Sequence, residues 1–328
     1  MNRRAMLATT TTAVATTLLG STAATATPAP VTPTPPPPAR PVPAGRVVEG
    51  LRLPSRLLRQ DVRYSLYLPP GHRPGRRYPV LYLLHGLIGD DTEWPGLGLG
   101  SIADRAIASG ALPPTVVVMP DARRDPGRPP TEQAQTYYMD DADGSFRYAE
   151  MVVRELLPGV EARHGAGGSA ARRAIGGESM GGFGALSFAF RHPGLFSAAF
   201  GLSVAHRTDA QVVALPQTEF DWRYAKAWGA GLVGQARLNE RYRQWNLLDT
   251  IARTPAEELS RTAYFLDCGS YDGFFEGNAD LHLALTAKAV PHRFMAREGA
   301  HEWDYWTSGL PVALEAVGTA FTQATGGR

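Results

Sequence analysis

The stretch Arg173-Ala174-Ile175-Gly176-Gly177-Glu178-Ser179-Met180-Gly181-Gly182-Phe183-Gly184 decides how the rest of the chain is read. It opens as a short strand, Arg173 to Gly177, and resumes from Gly182 to Arg191 as a helix rich in small residues. Between them stands Gly177-Glu178-Ser179-Met180-Gly181, a G-x-S-x-G sequence. A turn that sharp needs glycine two residues either side of the serine, because side chains there would strike neighbouring backbone. Ser179 then projects its hydroxyl above a sheet edge, with a helix N-terminus behind it that favours developing negative charge. A glycine-rich turn carrying a solvated serine would give the same five letters. The apolar strand before and the small-residue helix after favour the first reading.

Working outward, Val62 to Leu68 alternates with period two and ends at Pro69-Pro70-Gly71, as an antiparallel strand does. Pro79 to Leu84 and Val116 to Met119 are continuous apolar runs, the pattern of strands buried on both faces. Phe146, Ala149, Val153, Leu156, Leu157 and Val160 fall at helical spacing, and Pro158 is expected to kink or end that helix. Further strands are expected at Ala198–Leu202, Ala263–Leu266 and His292–Met295, with helices at Asp280–Ala289 and over 303–323. Alternating strands and helices imply an α/β fold with a mostly parallel central sheet and helices on both faces. Active sites in such sheets lie at the carboxyl ends of the strands.

Composition narrows the function. A hydrophobic fraction of 44% supports a large packed core. The formal charge of +2 offers no electrostatic footprint for nucleic acid. The lone cysteine, Cys268, makes neither an intrachain disulfide nor a cysteine-rich zinc site, and reads as a buried structural thiol. Residues 1–26 carry Arg3 and Arg4, a mildly apolar stretch and Ala24-Thr25-Ala26, the layout of an export signal with a twin-arginine-like start. That stretch is too short and polar for stable membrane insertion. Residues 27–45 read as a proline-rich linker, and 46–328 as the catalytic domain. A secreted protein, extracellular or held in the cell envelope, is expected. The formal positive charge then belongs to the signal alone.

A serine nucleophile needs a base and an acid. Of eight histidines, His301 lies between the last strand and the last helix, where a loop can bring an imidazole over the serine. His85 ends a buried strand before Gly86, where a turning backbone can aim the amide of Leu87 at an oxyanion. His206 follows the strand after the nucleophile helix and also faces the site. For the acid, Asp267, Asp272 and Glu276 all lie near one strand end; Asp267 falls within the strand and Asp272 just beyond it. The order Ser179, Asp272, His301 is that of the α/β-hydrolases.

Several segments recur in order: Tyr78-Pro79-Val80-Leu81-Tyr82-Leu83-Leu84-His85-Gly86, Trp94, Val118-Met119-Pro120-Asp121, Glu155-Leu156-Leu157-Pro158, the Ser179 motif, His192-Pro193-Gly194-Leu195-Phe196 and Gly299-Ala300-His301-Glu302-Trp303. Together they resemble the esterase family that includes S-formylglutathione hydrolases, feruloyl esterases and secreted mycolyltransferases. The resemblance implies an α/β-hydrolase fold with Ser179 as nucleophile, His301 as base and Asp272 as acid. It also implies an oxyanion hole from the amides of Leu87 and Met180. No metal or other cofactor is implied. Asp272, Glu276 and Asn278 are spaced like the acid loop of feruloyl esterases. Glu178 departs from the family, which usually has an apolar residue there, and Ser203-Val204-Ala205 replaces the more usual Ser-Gly.

The expected activity is therefore hydrolysis of a carboxylic ester, either a small molecule or one linked to a polysaccharide. An acyltransferase of the mycolyltransferase type would use the same triad, and a non-catalytic wall-associated protein would keep the fold alone. Trp94, Tyr138 and Trp228 are the candidates for substrate contact. The competing reading is that the aromatics of residues 205–260, and Tyr137 and Tyr138, pack their segments onto the body.

Overall fold

A computed structural model describes residues 44–326. The expected signal over 1–26, and the linker up to residue 43, lie outside the described residues. Eight strands form one sheet: β1 (Arg46–Ser55), β2 (Gln60–Leu68), β3 (Val80–Leu84), β4 (Val116–Pro120), β5 (Arg173–Glu178), β6 (Ala198–Leu202), β7 (Ala263–Gly269) and β8 (His292–Arg297). Their order is β1-β2-β4-β3-β5-β6-β7-β8. The β1–β2 and β2–β4 pairs are antiparallel, and every later neighbour is parallel. Leu84 pairs with Gly177, Glu178 with Leu202, and Leu202 with Asp267. The carboxyl ends of β3, β5, β6 and β7 therefore finish close together, and the loops after them open on one edge.

Alternation along the strands divides the core in two. Leu81, Leu83, Val117, Met119, Phe200 and Phe265 face one side, against helices α1 (Leu99–Ala108) and α5 (Trp303–Gly326). Val80, Tyr82, Leu84, Val118, Ile175 and Leu266 face the other, against α2 (Leu157–His164), α3 (Ser179–Arg191) and α4 (Phe275–Ala287). Burial on both faces is why β3 and β4 are apolar throughout.

Pro158 does not end its helix. The chain runs helically through Tyr148–Met151, then a π-helical turn over Val152–Leu156, then α2, with the proline in the first turn of α2. The wider turn accommodates a residue that has no N–H to donate. The segment from residue 205 to 260 contains six short α-helices and one 3-10 helix joined by turns. Its backbone is tied to the loop before α2 by Gln135 N–H to Trp222 O, 2.9 Å, and Ala142 N–H to Lys226 O, 2.8 Å. Among the described residues no helix is long and apolar enough to cross a membrane.

Candidate active site

The turn from β5 into α3 takes its shape from close backbone approach. A Cβ at Gly177 would stand 2.6 Å from the Leu84 carbonyl oxygen and 2.7 Å from Gly181 C, and one at Gly181 would meet the same Leu84 carbonyl. Only hydrogen fits at either position. The turn also places Ser179 at φ 51°, in the left-handed region, straight after an extended Glu178. For a residue with a Cβ that conformation costs on the order of 1–2 kcal/mol. It lifts the Ser179 side chain out of the helix and toward the loops at the sheet edge.

Two of those loops meet the serine. His301, in the loop between β8 and α5, places Nε2 2.8 Å from Ser179 Oγ. Its Nδ1 lies 2.8 Å from Oδ2 of Asp272, in the loop between β7 and α4. The other carboxylate oxygen, Oδ1, accepts the Phe274 amide at 2.8 Å. Burial alone would raise the Asp272 carboxyl, but the His301 contact and the Phe274 amide outweigh it and hold it below the usual carboxylate range. The imidazole is wedged between Phe274, with centroids 5.0 Å apart, and Trp306, edge-on at 4.7 Å.

The surrounding loops are fastened by polar groups that are themselves buried. Asp267 sits in β7 and accepts both the Arg297 guanidinium, at 2.7 Å from Nη2, and the Tyr305 hydroxyl. This ties the end of β8 to the start of α5, on either side of His301. Asn278 of α4 bonds both the N–H and the C=O of Val204, at 3.1 and 2.9 Å. Ala205 N–H in turn donates to Ser179 O at 2.9 Å. Glu276 is exposed and Cys268 buried; burial also pushes the Cys268 thiol up, away from the thiolate.

The loop after β3 carries Leu87. Trp94 Nε1–H donates to Leu84 O at 3.0 Å, and the Tyr138 hydroxyl donates to His85 O at 2.9 Å. Ala122 N–H donates to His85 Nε2 at 2.9 Å, so the ring proton is on Nδ1 and is donated to Gly86 O at 2.7 Å. Gly86 N–H donates to Glu93 Oε1 at 2.9 Å. Met180, across from this loop, lies in the first turn of α3, where amides have no partner within the helix.

Ser179, Asp272 and His301 thus come together, with Met180 next to the serine in the chain and Leu87 following Gly86, which packs against Glu178. The three aromatic candidates for substrate contact are placed differently. Trp94 and Tyr138 are 1% exposed, with their polar atoms given to backbone carbonyls, and Trp228 is 5% exposed and stacked on Tyr224 at 4.1 Å. All three are packed in the interior. His85 and His206 are buried too; burial pushes the His206 imidazole down to about 4, so it stands neutral. Glu93 was not singled out by sequence, and nothing in its neighbours' letters points to the Gly86 amide it holds. A cavity of about 610 Å³ lies at the amino ends of β6–β8 against α5, at the opposite sheet edge from Ser179. This cavity contains none of the hydrogen-bonded cluster of Ser179, His301 and Asp272.

Comparison with known proteins shows the family and the fold. The Esterase family model matches residues 55–317. An esterase of Mycobacterium tuberculosis H37Rv is 27% identical over 255 residues, covering 72% of this chain and 52% of its own. The chain thus spans about half the length of that curated relative. An acetyl esterase of Caldicellulosiruptor saccharolyticus is 23% identical over 283 residues, covering 80% and 94%. Among solved structures, a ferulic acid esterase superposes with a TM-score of 0.70 at 26% identity, covering 85% of this chain and 99% of its own. An S-formylglutathione hydrolase of Staphylococcus aureus superposes with a TM-score of 0.63 at 19% identity, covering 84% and 98%, and shares the fold.

Proposed function

Because this chain belongs to the Esterase family, we propose that it hydrolyses carboxylic esters through an acyl-enzyme formed on Ser179. His301 removes the Ser179 proton as Oγ attacks the ester carbonyl. The amides of Leu87 and Met180 donate to the oxyanion of the tetrahedral intermediate. His301 then returns the proton to the departing alcohol as the C–O bond breaks. Water, deprotonated by the same imidazole, attacks the acyl-enzyme; as the acyl–Oγ bond breaks, His301 returns the proton to Ser179 Oγ and the acid leaves. Asp272 keeps the His301 proton on Nδ1 and stabilises the imidazolium in each step. The chemistry calls for no metal and no organic cofactor.

The single observation that carries this reading is the continuous chain of two 2.8 Å contacts from Ser179 Oγ through His301 to Asp272. One missing oxyanion donor typically costs about 2.7–4 kcal/mol of transition-state stabilisation. The ferulic acid esterase likeness favours esters of aromatic acids, small or attached to polysaccharide, with export directed by residues 1–26. The test is a panel of acetyl, butyryl, longer acyl, feruloyl and glutathione thioester substrates, run on the native chain and on Ser179→Ala. Hydrolysis of at least one ester by the native chain only is expected. A folded Ser179→Ala that still hydrolyses it overturns the reading.

A further inference from the structure

A buried carboxylate lies one residue before Ser179. Glu178 is 1% exposed, and neither of its carboxylate oxygens finds a hydrogen-bond donor among the described residues. It is held against the loop after β3. Any side chain at Gly86 would run into the Glu178 carboxylate, just as one at Gly89 would run into that of Glu93. Glu93 reaches the same place from the other side, with Oε1 on the Gly86 amide at 2.9 Å. Two carboxylates meeting at one glycine can only accept, so the contact is repulsive unless a proton sits between them. Protonated, Glu178 becomes the donor that its buried oxygens lack.

We infer that Glu178 and Glu93 share one proton, carried by Glu178, and that this acid pair clamps Gly86 and sets the position of the Leu87 amide. Glu178 is then a positioning residue for the oxyanion hole. The inference rests on the esterase reading above.

Burial, and then the Glu93 charge, push the Glu178 carboxyl well above its ordinary range, the direction that favours its protonated form, with the Gly86 amide pulling the other way. Other titratable groups around the pair give no cation to stabilise a second negative charge. Tyr138 and Tyr148 are buried phenols, His85 is committed to Ala122 and Gly86, and Asp121 and Asp90 both pair with Arg123. When the shared proton leaves at higher pH, two carboxylates face each other across Gly86 and the loop is forced apart.

The experiment is the pH profile of kcat and KM for the native chain, Glu178→Gln and Glu178→Ala. Glutamine supplies a permanent N–H to Glu93 in the same volume. Glu178→Gln is expected to keep kcat within about threefold near pH 7 and to lose the native fall in kcat at alkaline pH. Glu178→Ala is expected to lower kcat tenfold or more with KM little changed, because transition-state and not ground-state binding is lost. An alkaline limb in Glu178→Gln coincident with the native one overturns the inference. So does an unaltered kcat in a folded Glu178→Ala; if that variant does not fold, the isosteric glutamine decides. Infrared spectroscopy gives a readout that needs no catalysis: a carboxylic-acid band in the native chain that disappears in Glu178→Gln is expected, and its absence overturns the pair. An inert native chain that still shows this band would sink the esterase reading while leaving the shared proton standing.

Discussion

Replacing Asp272 by asparagine changes almost no volume, yet the surrounding bonds dictate which way the new amide turns. Oδ1 of Asp272 accepts the Phe274 amide at 2.8 Å, so that site demands an oxygen. The asparagine NH₂ must then occupy the position of Oδ2, 2.8 Å from His301 Nδ1 in the native chain. Nδ1 becomes an acceptor, and the ring proton moves to Nε2, the nitrogen facing Ser179 Oγ. That tautomer cannot take the serine proton, and the imidazolium also loses its counter-charge. The expected loss is about 10⁴ in kcat, or about 5.4 kcal/mol of transition-state stabilisation, with KM nearly unchanged. Steady-state hydrolysis of an activated aryl ester measures it, with thermal unfolding as the check on folding. A folded Asp272→Asn that retains kcat within tenfold of native refutes the reasoning, and would move the acid role to the exposed Glu276. Because the Asp272 carboxyl is held below its usual range, its stabilising contact is present at neutral pH and lost only as pH falls through that lowered value.

Other expectations follow from the same contacts. Tyr138→Phe leaves the buried His85 carbonyl without its 2.9 Å donor, which should cost about 1–3 kcal/mol in denaturant unfolding and lower kcat more than it changes KM; unchanged values for both would remove Tyr138 from the loop's support. His206, neutral in the fold with its pKa pushed down to about 4, takes its proton first in the unfolded chain. Stability should therefore decline by on the order of 3 kcal/mol as pH drops from 6.5 to 4, with a shallower slope in His206→Gln; equal slopes would contradict it. Glu161 accepts Arg173 Nη2 at 2.8 Å, Tyr82 Oη at 3.2 Å and Gly168 N–H at 2.8 Å, at the sheet edge remote from Ser179. Glu161→Ala should destabilise by about 3–5 kcal/mol while kcat of the folded fraction stays native, and a selective loss of kcat would be the surprise.

Where the letters constrain backbone directly, they are legible. Gly177 and Gly181 mark the turn because hydrogen alone fits beside Leu84, and the apolar runs of β3 and β4 mark strands covered on both faces. β1 escapes such reading: it is an edge strand, largely exposed, and its register with β2 shifts between Val48 and Leu51 around Gly50 at φ 70°. The start of α4 is also hidden, since Phe275 to Ala279 repeats no apolar period and the helix begins only because the Asp272 turn leads into it. Aromatic residues show why site reading stops short. Trp94 and Tyr138 look like substrate contacts by type, but their polar atoms reach inward to Leu84 and His85, and spacing does not reveal which way a side chain turns. The meeting of Glu93 with Glu178 at Gly86 is set by tertiary packing, and no local pattern announces it.

The most direct measurement of the central claim is to trap the acyl-enzyme. The native chain is treated with a fluorophosphonate or a slowly deacylating aryl ester, and the modified residue is located by peptide mass spectrometry. The account predicts a single adduct on Ser179, formed with loss of esterase activity in step with labelling and absent from Ser179→Ala. Stoichiometric labelling at another residue, or hydrolysis that persists once Ser179 is fully modified, would contradict it.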